Sequence, residues 1–137
     1  ARMSLAAVVE PGHTAVAEAV AAYGAEAVWA SVREQPGDVP LAVRARRVVP
    51  EELVARTRAA GLRFVVPDDE EWPAALADLA GGEPVNELSG EPLGLWVGGG
   101  GHLGELCSSS VAIVGSRAST AYGDTVAADL GAELSEG

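Results

Sequence analysis

The chain contains no lysine: its nine basic residues are all arginine, set against twenty carboxylates, for a formal net charge of −11. So acidic a surface excludes general attraction to nucleic acid, and any phosphate contact must be local. Cysteine is nearly absent. With Cys107 alone, neither an intramolecular disulfide nor a thiolate metal cluster is available, and the thiol reads as structural. His13 and His102 are the two histidines, each isolated from any partner that would make it a base or a metal ligand. The expectation is no metal and no cofactor. Long hydrophobic runs are missing as well. Residues 6–9 are apolar but stop at Glu10 and Pro11, too soon for a signal peptide, and nothing approaches the length needed to span a bilayer. No membrane partner is expected, and the default location is cytoplasmic.

What is present suffices for a core: the 137 residues are 48% hydrophobic and 21% charged, enough for one domain or a small domain plus part of another. An acidic, lysine-free, alanine-rich composition also accords with a high-GC genome. There is no internal repeat.

Residues 110–123, SVAIVGSRASTAYG, organise the rest. Val111, Ala112, Ile113 and Val114 form a short apolar run suited to a strand covered on both faces in a parallel sheet. Gly115 breaks the run. Ser116, Arg117, Ser119 and Thr120 then supply small polar groups and one fixed positive charge. Over residues 124–136, Val126, Leu130 and Leu134 recur every fourth position, so a helix with one apolar stripe is expected to pack back on the sheet. A strand, a glycine turn and a helix N-terminus leave backbone N–H groups free to attract an anion. Arg117 would add a planar charged fork. An ordinary strand-to-helix turn without a ligand has the same pattern. The turn is neither a dinucleotide fingerprint, since Arg117 and Thr120 stand where further glycines would be needed, nor a P-loop, since the lysine is missing.

VAIVGSRASTAYG and the helix after it closely resemble the first strand, Gly-Ser-Arg turn and first helix of the DprA/Smf family of bacterial DNA-processing proteins. Upstream, FVVPDDEEWPAALADL at residues 64–79 resembles the family's strand, acidic turn and short helix, and LGLWVG at 93–98 its next strand. The resemblance covers residues from about 62 to 137, with an actinobacterial-like composition. It implies an α/β fold: a small helical module over residues 1–61, then residues 62–137 as the opening part of a truncated, doubly wound Rossmann-like domain. The chain is expected to be a fragment, because the family's later strands and dimer-forming surface would lie beyond residue 137. The implied protein is not an enzyme. It binds single-stranded DNA, protects incoming DNA in natural transformation and recombination, loads the RecA recombinase, and forms a homodimer through residues absent from this chain. The implied phosphate-binding set is Gly115, Ser116, Arg117, Ser119, Thr120, Tyr122 and Gly123, with no catalytic residue. The alternative is a nucleotide-processing enzyme of the wider Rossmann-like phosphoribohydrolase superfamily, using the same turn for a nucleotide phosphate. A partner-binding module that uses only the helical part is a third reading.

In the helical module, Val16, Val20 and Tyr23 are expected on one face after a Thr14 cap, with Gly24 ending the helix. Val28, Trp29 and Val32 form the next core stripe. Pro50, Glu51, Glu52, Arg56, Arg58 and Gly61 agree on a helix over about 50–60. Arg44, Arg46 and Arg47 are the one basic cluster outside the turn and fit either a nucleic-acid contact or a solvated helix face. Residues 68–71 read as a solvated acidic turn rather than a metal site, Trp96 as core, and residues 98–101 as a flexible connection.

Overall fold

The computed structural model describes residues 1–83, 85–86 and 88–135. Five helices come first: α1 (Arg2–Ala6), α2 (Thr14–Tyr23), α3 (Ala25–Glu34), α4 (Pro40–Arg46) and α5 (Pro50–Ala59). Then follow β1 (Leu62–Val65), a 3₁₀ helix (Ala74–Gly81), β2 (Leu95–Gly98), α6 (Leu103–Ser108) and α7 (Ala121–Ser135).

Local chemistry accounts for the helix bounds. α5 opens on Pro50, whose fixed φ suits the first turn and whose missing N–H has no partner to lose. Glu51 and Glu52 in the first turn and Arg56 and Arg58 in the last complement the helix dipole. α2 stops at Gly24, which adopts φ +81°, a conformation that costs glycine nothing. His13 rather than Thr14 holds the capping position of α2. Thr14 is its first helical residue, and the Thr14 and Ser89 hydroxyls lie 3.3 Å apart.

The core sits among α1 to α4. Leu5, Val8, Val9, Val16, Val20, Val28, Trp29 and Ala45 form one buried cluster, with Leu5 and Ala45 wholly excluded from solvent. Val16 and Val20 point inward as their spacing requires, whereas Tyr23 is 76% exposed. Arg33 lies over the face of Trp29, 5.7 Å from the ring centroid. Leu93, far along the chain, is packed against the same cluster. Its loop is tied down by Ser89 and Gly90, whose N–H groups both donate to the Gly12 carbonyl.

The sheet has two antiparallel strands, with Leu62 opposite Gly98 and Val65 opposite Leu95. Phe64 faces Trp96 across the pair with ring centroids 4.8 Å apart, edge to face. Trp96 is only partly covered, and its Nε1 donates to Thr57 Oγ1 on α5 at 3.1 Å. This tryptophan therefore bolts the sheet to the helices rather than filling a core.

The expected strand at residues 111–114 is a correction. The stretch has no ladder partner among the described residues, and Val111, Ile113 and Val114 are 66%, 49% and 90% exposed. An apolar run is stable as a strand only where neighbours accept its backbone hydrogen bonds and cover both faces. Among the described residues neither is present, and the sheet found there, β1 with β2, is antiparallel, so α7 does not have the expected parallel sheet to pack on. α7 itself forms, from Ala121 rather than from Asp124, with Leu130 and Leu134 about half exposed. The expected end at Glu136 and Gly137 lies outside the described residues.

Candidate nucleic-acid interface

Two places gather polar groups. The first is the turn before α7. Thr120 stands at the capping position, and its Oγ1 accepts from the Gly123 N–H at 3.2 Å while its carbonyl accepts from the Asp124 N–H at 2.9 Å. That capping starts the helix and leaves Ala121 and Tyr122 in a first turn with no preceding carbonyls to satisfy them. Ser116 Oγ accepts from the Ala118 N–H at 3.2 Å, closing a small hydroxyl turn that bends the chain back over α7. Between the returning segment and the helix lies a groove of about 630 Å³. Ile113, Val114, Val126 and Leu130 make its apolar wall; Ser116, Ser119, Thr120 and Asp124 make its polar mouth.

Of the seven expected site residues, six line this groove: Gly115, Ser116, Ser119, Thr120, Tyr122 and Gly123. Arg117 lies on the turn but outside the lining. Its exposed side chain makes no hydrogen bond or ion pair with any described residue. Ser119 is committed, because its hydroxyl donates to Asp124 Oδ1. Asp124 is the group that the sequence reading left out. It stabilises the helix N-terminus, and it puts a negative charge at the mouth that an entering anion must face.

The second place is held by Arg63. From β1, its Nε and Nη2 reach Glu71 Oε1 and Oε2 at 2.7 and 2.6 Å, a bidentate pair. Its Nη1 and Nη2 also donate to the carbonyls of Gly99 and Gly101 at 2.5 and 2.6 Å. Glu71 Oε2 accepts in addition from the Leu103 N–H at 3.3 Å. The glycine loop that reads as a flexible connection is thus clasped, and a helix, α6, does follow it. His102 caps that helix through Nδ1, which accepts from the Glu105 N–H. Hydrogen bonds from Arg63 and the Leu103 N–H, with the Arg63 charge, hold the Glu71 carboxyl at about 2 against an ordinary 4.5, despite partial desolvation that works the other way. Among residues 68–71 only Glu71 and Asp69 are engaged within this part of the chain; Asp69 Oδ2 accepts from the Val66 N–H at 2.8 Å. Among the described residues no cluster of three or more metal-ligating side chains occurs.

Seen from the sequence, Arg63 and Glu71 had no motif to mark them, since one is on a strand and the other in a turn eight residues on. The consequence for the site is electrostatic. Over residues 63–137 the arginines are Arg63 and Arg117, and Arg63 is consumed by Glu71. Arg117 is left as the one uncommitted cation of that span among the described residues.

The family model for DNA recombination-mediator protein A matches residues 63–137. The chain belongs to that family. All seven site residues and the Arg63–Glu71 pair fall inside the matched span, and the helical part lies outside it. Two curated relatives, assigned as DNA processing protein DprA in Mycobacterium tuberculosis strains CDC 1551 and H37Rv, are each 46% identical over 78 residues, or 56% of this chain. The chain spans 20% of the length of these relatives. No solved structure matches it. Among the described residues no helix is long and apolar enough to cross a membrane.

Proposed function

We propose that this chain is part of a DNA-processing protein that holds single-stranded DNA by its phosphate backbone at the turn of residues 115–123. The observation that carries the reading is the uncommitted Arg117 guanidinium beside a capped helix N-terminus, in a chain otherwise dominated by carboxylates. A guanidinium with no internal partner is free to take a phosphate through two parallel hydrogen bonds. The Ala121 and Tyr122 N–H groups lie close in sequence to add polar contacts. Contacts of this kind position a strand without reading its bases.

The finer parts of the reading come from the family resemblance. They are protection of incoming DNA during transformation and recombination, handover to RecA, a homodimer built from residues outside this chain, a cytoplasmic location and a non-enzymatic role. The Rossmann-like architecture belongs with them: in a longer chain, residues 111–114 would take strand form once flanking strands accept their hydrogen bonds. Residues 1–61 form the helical module of this account, with Leu93 and Trp96 from the later part of the chain packed or bonded to it. No observation favours the nucleotide-processing enzyme over this reading.

The test is a titration of labelled single-stranded oligonucleotides of two base compositions at several salt concentrations. Binding should be independent of composition and weaken steeply with salt. Absence of binding at low salt, or a strong preference for one composition, would contradict the proposal.

A further inference from the structure

Of the nine arginines, five (Arg44, Arg46, Arg47, Arg56 and Arg58) fall in α4, α5 and the turn between them, where Glu51 and Glu52 are the only carboxylates. The local balance is thus opposite to that of the chain. Arg46 is explained internally: its Nη1 and Nη2 donate to the carbonyls of Gln35 and Gly37 at 3.1 and 2.8 Å, closing the α3–α4 connection. Arg56 and Arg58 flank the buried Thr57 and so project to opposite sides of α5.

Arg44 and Arg47 are different. Ala42 and Ala45 turn inward, and Arg47 keeps helical backbone angles (φ −86°, ψ −13°). Three residues apart, the two arginines therefore sit side by side on the solvent face of α4. Both are exposed, and neither has a hydrogen bond or ion pair with any described residue. Neighbouring like charges repel, and among the described residues no carboxylate answers these two, although Glu34 and Asp38 are close in sequence. A pair of adjacent guanidinium groups left facing water is complementary to two successive phosphates of one strand.

We infer that Arg44 and Arg47 form a second phosphate-contacting patch for nucleic acid, on the helical part of the chain and separate from the turn at Arg117. The inference rests on the reading of the chain as a single-stranded DNA binder. It extends that reading to α4, which the family match does not reach. The patch gives a strand held at Arg117 a further anchor without any base contact.

The experiment uses the whole chain and compares the unchanged protein, R44Q/R47Q and Arg117→Ala by fluorescence anisotropy with a labelled oligothymidylate, from 0.02 to 0.3 M salt as a working range. Both arginines are exposed, so the double variant should keep its helices, which circular dichroism checks. Losing two phosphate contacts should lower the magnitude of the log–log salt slope by about 1.4 and weaken binding roughly 10- to 30-fold at about 0.1 M salt. An unchanged slope and affinity in R44Q/R47Q, with a loss in Arg117→Ala, would overturn this inference and leave the turn intact as a site. No binding by the unchanged protein even at the lowest salt would overturn both. An equal-length polyglutamate that competes as well as the oligonucleotide, through the same two arginines, would reassign the patch to acidic protein segments and overturn the nucleic-acid assignment.

Discussion

Arg63 and Glu71 meet through two parallel hydrogen bonds, 2.7 Å from Nε to Oε1 and 2.6 Å from Nη2 to Oε2. The pair joins β1 to the acidic turn, and through the Gly99 and Gly101 carbonyls and the Leu103 N–H it also fixes the loop leading into α6. One guanidinium thereby organises three segments.

The clasp has an acid signature. Glu71 is held at about 2 in the folded chain against an ordinary 4.5. A carboxyl depressed on folding contributes stability that is fully present above its unfolded value and lost as the pH falls through the folded one. The melting temperature should therefore drop between about pH 4.5 and about pH 2. Glu71→Gln should start lower at neutral pH and fall less steeply across that window. Melting curves that run parallel for the two proteins would show that the pair adds nothing to stability.

Gly94 is buried against the Phe64 ring. A Cβ there would lie 2.6 Å from Phe64 Cε1 and 2.9 Å from the Val65 carbonyl oxygen, so Gly94→Ala forces the sheet apart. The expected loss is about 1–3 kcal/mol in chemical denaturation, the range for overpacking. A neutral effect would mean that Phe64 swings away freely and that its contact with Trp96 is not a fixed part of the fold.

Asp124 separates helix stability from binding. Asp124→Asn removes a favourable charge at the N-terminus of α7, costing about 0.3–1 kcal/mol. It also removes the one carboxylate at the mouth of the groove. Helicity of residues 121–127 should decrease while affinity for single-stranded DNA rises a few-fold at low salt. If affinity instead falls together with helicity, Asp124 serves the strand's site only by holding the helix.

Helices were the legible part of this fold. Pro50, the paired glutamates after it and Gly61 dictate α5 by local chemistry alone, and Val16 with Val20 dictates the buried face of α2. Residues 111–114 could not be read in the same way. Their apolar run has the composition of a buried strand, but strand formation depends on neighbours that a local pattern does not contain. The glycine loop at 98–101 was misread for the converse reason. Its order comes from Arg63, more than thirty residues earlier in the chain. In the turn, six of seven expected residues share one groove because a Gly-Ser turn and a Thr cap are both short-range devices. Asp124 reads from the sequence as the start of the helix, but α7 begins three residues earlier, at Ala121, which puts Asp124 in its first turn within reach of the Ser119 hydroxyl.

Arg117→Ala, measured in DNA affinity and thermal stability together, tests the central claim most directly. The side chain makes no hydrogen bond or ion pair with any described residue, so the melting temperature should stay unchanged. Affinity for single-stranded DNA should fall roughly ten- to a hundredfold, in keeping with the loss of about 1.5–3 kcal/mol for one charge-assisted contact. The loss should be equal for two base compositions, with a salt slope lower by about 0.7. Arg117→Lys should recover only part of it, since a point charge replaces a bidentate fork. A lowered melting temperature with unaltered DNA affinity would contradict the account and make Arg117 a structural residue.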